Sequence, residues 1–109
     1  MLQLRQYQQK AIGLVYDYFR EFNGNPVLEL PTSAGKSLIQ AAFIEGIFRQ
    51  WPGQRILCLA HVRELIEQNH AELVGYWKNA PAGINAAALG RRDLREPIIF
   101  AMIQSVYKL

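Results

Sequence analysis

The chain has 109 residues, enough for one small domain, and half of them are hydrophobic while 19% are charged. This composition can supply one hydrophobic core, and it excludes a disordered or low-complexity chain. Twelve Lys and Arg against nine Asp and Glu give a net charge of +3, which permits a nucleic-acid partner without arguing for one. The single Cys excludes an internal disulfide framework and favours a reducing compartment.

The sequence also argues against export and against a membrane. Its first residues show no basic region followed by an apolar run, so no secretory signal is predicted. No uninterrupted apolar run approaches the ~20 residues that a membrane-spanning helix needs. We therefore expect a soluble, cytoplasmic protein with no membrane partner.

The first half of the chain predicts two helices with a strand and a loop between them. Apolar residues recur every three or four positions from Tyr7 to Phe22, which predicts a helix that ends at Asn23–Pro26 with Gly24 in a left-handed conformation. Val27–Leu30 is a short β-prone run, and small residues follow it up to Gly35. A second helical pattern runs from Ile39 to Ile47 and stops at Trp51-Pro52-Gly53.

The second half alternates strands with a helix. Ile56–Ala60 is apolar without alternation, as expected of a strand buried on both faces. A third helix from Val62 to Trp77 ends before Pro81, and Ile84–Ala88 is a weaker strand candidate. Gly90–Pro97 reads as a charged loop, and Ile98–Met102 as another buried strand. Alternating strands and helices predict one α/β domain with a parallel sheet and helices on both of its faces.

The segment from Leu30 to Leu38, Leu-Pro-Thr-Ser-Ala-Gly-Lys-Ser-Leu, has the context of a phosphate-binding loop, between a predicted strand and a predicted helix. Small residues allow backbone N–H groups to converge on phosphate oxygens at the positive end of the helix. Lys36 would reach the β- and γ-phosphates, and the Ser37 hydroxyl would ligate Mg²⁺. The strict motif has Gly where this chain has Leu30, so a chance Gly-Lys-Ser in an ordinary turn is the alternative.

With this loop, the chain resembles the N-terminal part of the first RecA-like domain of superfamily 2 DExD/H-box helicases. In that superfamily the loop commonly begins Pro-Thr and lacks the leading Gly, and Ser33 stands where Gly is more frequent. The resemblance implies bound ATP and Mg²⁺, with Lys36 and Ser37 as the catalytic pair and Ser37 as the Mg²⁺ ligand. It implies that the loop binds ATP through Thr32, Ser33, Ala34, Gly35, Lys36, Ser37 and Leu38.

Leu4–Gln9, at the start of the first helix, resembles the adenine-reading motif of the same superfamily. By this resemblance Arg5 would stack on the adenine and Gln8 would hydrogen-bond its edge. A Gln amide offers one donor and one acceptor, which suits the edge of adenine. The alternative for this segment alone is a solvated helix face.

Two further segments resemble the nucleic-acid motifs of the superfamily. Leu59–His70 would contact backbone phosphates through His61 and Arg63, and Ile98–Val106 would do so through Gln104 and Ser105. Both follow predicted parallel strands, whose carboxyl ends share the edge where ligands bind. The alternatives are ordinary first-turn charges and a connecting His. Gly90 with Arg91 and Arg92 is a weaker match to a glycine-containing nucleic-acid loop.

The resemblance is closest to RadD-like bacterial helicases and to phage helicases. It implies that residues 1–109 are the N-terminal part of a helicase ATP-binding domain, truncated before the Asp-Glu-x-His or Asp-Glu-x-Asp motif, because no Asp-Glu pair occurs in the chain. We therefore expect an ATP-dependent helicase or translocase that acts on DNA in preference to RNA. The 109 residues alone should not hydrolyse ATP, and an unpaired strand edge should favour self-association. A non-catalytic nucleotide- or nucleic-acid-binding module and a small P-loop kinase are the alternatives.

Overall fold

The computed structural model describes residues 4–30 and 35–107. Within these ranges the helices are α1 (Gln6–Glu21), α2 (Lys36–Gln50), α3 (Arg63–Tyr76) and the short α4 (Ile103–Tyr107). The strands are β1 (Ile56–Ala60), β2 (Ala82–Ala86), β3 (Arg91–Arg92) and β4 (Ile98–Met102), and a 3-10 turn (Ala87–Leu89) follows β2. None of the described helices is both long enough and apolar enough to cross a membrane.

The strands form one sheet in the order β1-β4-β2-β3. β4 lies parallel to both β1 and β2, while the two-residue β3 runs antiparallel to β2. The predicted α/β fold with a mostly parallel sheet is thus confirmed. The antiparallel β3 lies inside the predicted charged loop and consists of two arginines. Because two arginines alone do not indicate a strand, the sequence did not predict it.

The hydrophobic core lies between the sheet and α3. Ile66 and Leu73 lie two turns apart on one side of α3, and both are buried. They cluster with Ile84, Ile98 and Phe100 on the facing side of the strands, and Ile84 is the register partner of Phe100. Burial of each such side chain contributes roughly 1.5–3 kcal/mol. This packing fixes the orientation of α3 and therefore the place where α3 begins.

The other face of the sheet is only partly covered by the described residues. Val106 of α4 lies beside Ile99 and Leu57 at a cavity of about 260 Å³. Further along β1, Leu57 and Leu59 remain 54% and 53% exposed. The prediction that β1 is buried on both faces was therefore wrong. β1 is the edge strand of the described sheet, and α4 covers its outward side chains only in part.

The segment Val27–Leu30 is not a strand, contrary to the sequence prediction. It forms no ladder with another strand in the described residues, and Val27 is 92% exposed. Leu28 and Leu30 lie instead beside Ile12 and Val15 of α1. A β-prone run becomes a strand only where a neighbouring strand supplies hydrogen bonds, and no described strand lies next to this run.

Both helices that flank this segment are confirmed, although α1 ends differently from the prediction. Its C-cap is Phe22 in an extended conformation (φ −131°), whose N–H donates to the Tyr18 carbonyl oxygen at 2.8 Å. Gly24 does not adopt the predicted left-handed conformation; the described glycines with positive φ are Gly35 and Gly90. The backbone thus uses the special freedom of glycine at the start of α2 rather than at the end of α1.

Candidate nucleotide-binding site

The predicted phosphate-binding residues Gly35 and Lys36 lie at the start of α2. Gly35 precedes the helix in the left-handed conformation (φ 72°), and its carbonyl oxygen accepts from the N–H groups of Leu38 and Ile39, each at 3.1 Å. Lys36 is the first residue of α2 and is exposed. A helix start carries a partial positive charge, to which Lys36 adds a full one. The predicted loop residues Thr32, Ser33 and Ala34 lie outside the described residues.

The start of α1 lies directly against this helix start. Gln8 is 4% exposed, and its Oε1 accepts from the backbone N–H of Arg5 at 2.8 Å. In return, the Gln8 N–H donates to the Arg5 carbonyl oxygen at 3.0 Å. A Cβ added to Gly35 would lie only 2.7 Å from Gln8 Nε2. A side chain at position 35 would therefore displace the end of the Gln8 side chain, while Arg5 itself remains exposed.

Ser37, in the first turn of α2, is fixed by a neighbour that the sequence analysis did not single out. Its Oγ donates to Oδ1 of Asn69 on α3 at 2.8 Å. A hydroxyl has one proton and two lone pairs, so this hydrogen bond leaves both lone pairs available. A hydroxyl oxygen is a hard ligand suited to Mg²⁺, which proteins commonly hold through one or two side chains together with substrate phosphates. The chemistry of Ser37 therefore fits the predicted Mg²⁺ ligand.

The sequence did not predict a role for Asn69 beside Ser37, because the whole segment Leu59–His70 was interpreted as one nucleic-acid motif. One signal in the sequence could have identified it. Asn is unfavourable in helix interiors because its side chain competes for backbone hydrogen bonds. Asn69 nevertheless lies well inside a helical pattern. Such a residue often makes a specific side-chain contact, but the sequence alone could not name Ser37 as the partner.

The predicted nucleic-acid residues lie together at one edge of the sheet. His61 follows β1 and Arg63 begins α3, while Gln104 and Ser105 lie in α4 directly after β4. Ala60 and Met102, the last residues of β1 and β4, are register partners, so the two groups follow adjacent parallel strand ends. This juxtaposition is the one that the parallel sheet predicts.

These four residues differ in how they are held. His61, Arg63 and Gln104 are exposed. Arg63 lies 3.5 Å from the Glu64 carboxylate, an exposed pair that restrains it little. Ser105 is half-buried, and its Oγ accepts from the Ala87 N–H at 3.2 Å, so this hydroxyl also ties α4 to the end of β2.

Two titratable groups with shifted pKa values have structural causes unrelated to these sites. The Ile84 N–H donates to Asp93 Oδ2 at 3.1 Å, and together with the nearby Arg91 guanidinium it holds the Asp93 pKa below its ordinary value. Burial raises the pKa of Cys58 to about 12. Asp93 thus anchors the arginine-rich loop to β2, and Cys58 packs as a neutral thiol against the core.

A mostly parallel α/β sheet with a Gly-Lys-Ser helix start is consistent with part of a RecA-like domain. A family model described as "Type III restriction enzyme, res subunit" matches residues 1–109, and the chain belongs to this family. The match makes the chain a helicase-like domain of superfamily 2, which confirms the superfamily that the sequence motifs indicated. A search of curated proteins found no match to the chain.

Proposed function

We propose that this chain is the ATP-binding portion of an ATP-dependent helicase or translocase that acts on DNA, of the RadD-like or phage type. One observation carries the proposal: the turn that contains Arg5 and Gln8 packs against Gly35 at the start of α2. These two segments are about thirty residues apart in the sequence, and the resemblance assigns both to one nucleotide. Their contact supports a single binding site for adenine and phosphates.

Each residue then has a defined part. Lys36 supplies a charge for the β- and γ-phosphates, and the backbone N–H groups from Thr32 to Gly35 would donate to phosphate oxygens. Leu38, in the first turn of α2, is the last residue of the proposed binding segment. Arg5, which is exposed, would stack on the adenine, and Gln8 would hydrogen-bond its edge, which requires the buried Gln8 amide to turn from the Arg5 N–H toward the base. Mg²⁺, when bound, neutralises phosphate charge, and Ser37 is the side chain proposed to ligate it.

The DNA strand would run along the edge formed by the ends of β1 and β4. His61 and Arg63 would contact its phosphates from the first, and Gln104 and Ser105 from the second. The exposure of three of these side chains supports this assignment, and the net charge of +3 is compatible with it. We place the protein in the cytoplasm, where DNA and ATP are both available.

A second proposal concerns the 109 residues by themselves, which we expect to bind nucleotide without hydrolysing it. Their sequence contains no Asp-Glu pair, whose Asp would hold Mg²⁺ and whose Glu would position water. Phosphoryl transfer depends on positioning and charge stabilisation, so binding can persist where turnover does not. The outer edge of β1 has no partner strand among the described residues and carries no charged residue, so we also expect self-association. Light scattering that shows a monomer at high concentration would contradict this last expectation.

The ATP site is tested by titrating the protein with a fluorescent ATP analogue in Mg²⁺. Lys36→Ala removes a charge-assisted phosphate contact and should cost roughly 1.5–3 kcal/mol, or about ten- to a hundredfold in affinity. Lys78→Ala, which removes an exposed lysine after α3, is the matched control and should bind like the unmodified protein. Equal affinities for the two variants would refute the proposed phosphate site.

The DNA surface is tested by the salt dependence of binding to DNA. Arg63→Ala should weaken binding uniformly across sequences and reduce the slope of log K against log salt by about one. Arg20→Ala serves as a control because Arg20 lies in the last turn of α1 and pairs with Asp17 at 2.7 Å. An unchanged slope for Arg63→Ala would remove this residue from the proposed DNA surface.

A further inference from the structure

The hydrogen bond between Ser37 and Asn69 joins two elements that are distant in sequence. Ser37 lies in the first turn of α2 and Asn69 in the middle of α3, and their side chains meet at 2.8 Å in a partly buried position. The core packing of Ile66 and Leu73, on either side of Asn69 in the sequence, holds this part of α3 in place. The helix backbone that carries the Asn69 amide is thus held by the core.

The direction of this bond matters for metal binding. A hydroxyl that ligates a cation uses an oxygen lone pair, so its proton must point away from the cation. Asn69 Oδ1 accepts that proton, and its neutral amide does so without introducing a charge that would compete for the cation. Side chains that hydrogen-bond metal ligands orient them in this way and strongly affect metal affinity.

We propose that Asn69 is a positioning residue that turns the Ser37 hydroxyl so that its lone pairs are presented to nucleotide-bound Mg²⁺. The inference rests on the proposed ATP site and adds a residue outside the phosphate loop to it. A purely structural link between α2 and α3 would behave differently. Loss of such a link would lower stability, but it would leave the Mg²⁺ dependence of nucleotide binding unchanged.

The test compares binding of the fluorescent ATP analogue in Mg²⁺ and in EDTA. Asn69→Leu removes the acceptor and should reduce the Mg²⁺-dependent gain in affinity roughly tenfold, at the lower end of the range for residues that hydrogen-bond metal ligands. Its affinity in EDTA should match that of the unmodified protein. Asn23→Leu, the same change at an exposed site after α1, should behave like the unmodified protein.

A double-mutant cycle separates positioning from stability. In a Ser37→Ala background no hydroxyl remains to be oriented, so adding the Asn69 substitution should cause no further loss of the Mg²⁺ effect. Circular dichroism checks that each variant is folded, and Asn69→Ala replaces Asn69→Leu if the larger side chain prevents folding.

The outcomes distinguish the two proposals. If the folded, unmodified protein does not bind the analogue, both the ATP site and the role of Asn69 are wrong. If it binds with a Mg²⁺-dependent gain that the Asn69 variants retain in full, the ATP site stands and the positioning role is refuted. A loss that depends on the presence of Ser37 supports the inference.

Discussion

Gly35→Ala tests the contact between the starts of α1 and α2 most simply, because one methyl group perturbs both. Gly35 has φ 72°, and an added Cβ would lie 2.7 Å from Gln8 Nε2. The methyl group therefore meets two penalties, a left-handed backbone and a close contact with a buried side chain.

The size of the effect follows from these two terms. A left-handed conformation costs a residue with a side chain roughly 1–2 kcal/mol. Displacing Gln8 to relieve the contact breaks its hydrogen bond to the Arg5 N–H, which contributes about 0.5–1.5 kcal/mol. The sum is about 1.5–3.5 kcal/mol. At roughly 4–8 °C for each kcal/mol in a domain of this size, the melting temperature should fall by at least about 6 °C.

Thermal unfolding followed by circular dichroism measures this change, and Gly13→Ala is the matched control. Gly13 lies inside α1, and a Cβ there meets nothing within 4 Å. Ala at such a helix position should stabilise the protein by about 0.5–1 kcal/mol, so the two identical substitutions should have opposite signs. A Gly35→Ala variant as stable as the unmodified protein would show that Gln8 does not pack against this glycine.

Further predictions concern the core, the uncovered sheet face and two titratable groups. Phe100 is 1% exposed, so Phe100→Ala should lower the free energy of unfolding, measured with denaturant, by about 3–5 kcal/mol. Leu57→Ala should lower it by less than about 1 kcal/mol, and similar values for the two variants would mean that both faces of the sheet are packed alike. The Asp93 pKa is lower in the folded state than its ordinary value of 3.8, so the Asp93 carboxylate stabilises the folded protein above pH 3.8 and loses this effect as the pH falls. Asp93→Asn should therefore flatten the acid limb of a curve of unfolding free energy against pH. Because its pKa is raised to about 12, Cys58 should react with iodoacetamide at pH 8 only after unfolding, and rapid alkylation of the native protein would contradict its burial. The free energy of unfolding should decline as the pH rises above 9, the ordinary pKa of the thiol, because only the unfolded thiol then loses its proton.

The helices were the most predictable part of the fold, because their signal is local. The spacing from Tyr7 to Phe22 and from Val62 to Trp77 gave α1 and α3 to within a residue or two, and Ile98–Met102 was recognised as a strand from its apolar run. The common edge of the β1 and β4 ends also followed, since the carboxyl ends of parallel strands lie at one edge of the sheet, but the order that makes β1 and β4 neighbours did not.

The errors arose where the outcome depends on neighbours that the sequence does not specify locally. Val27–Leu30 has the composition of a strand, but the described sheet offers it no partner. Leu57 and Leu59 are apolar, yet they face a side of the sheet that α4 covers only in part. The contact of Ser37 with Asn69 depends on how α2 packs against α3, which residue spacing within either helix cannot reveal.

Hydrogen exchange with and without a Mg²⁺-bound ATP analogue tests the central claim most directly, that the starts of α1 and α2 form one nucleotide site. We predict that the analogue slows exchange in two segments together, the turn around Arg5–Gln9 and the start of α2 around Gly35–Ile39. The end of α1 and the charged loop after Gly90 should change little. Protection of only one of these two segments, or protection elsewhere in a protein that binds the analogue, would contradict the claim.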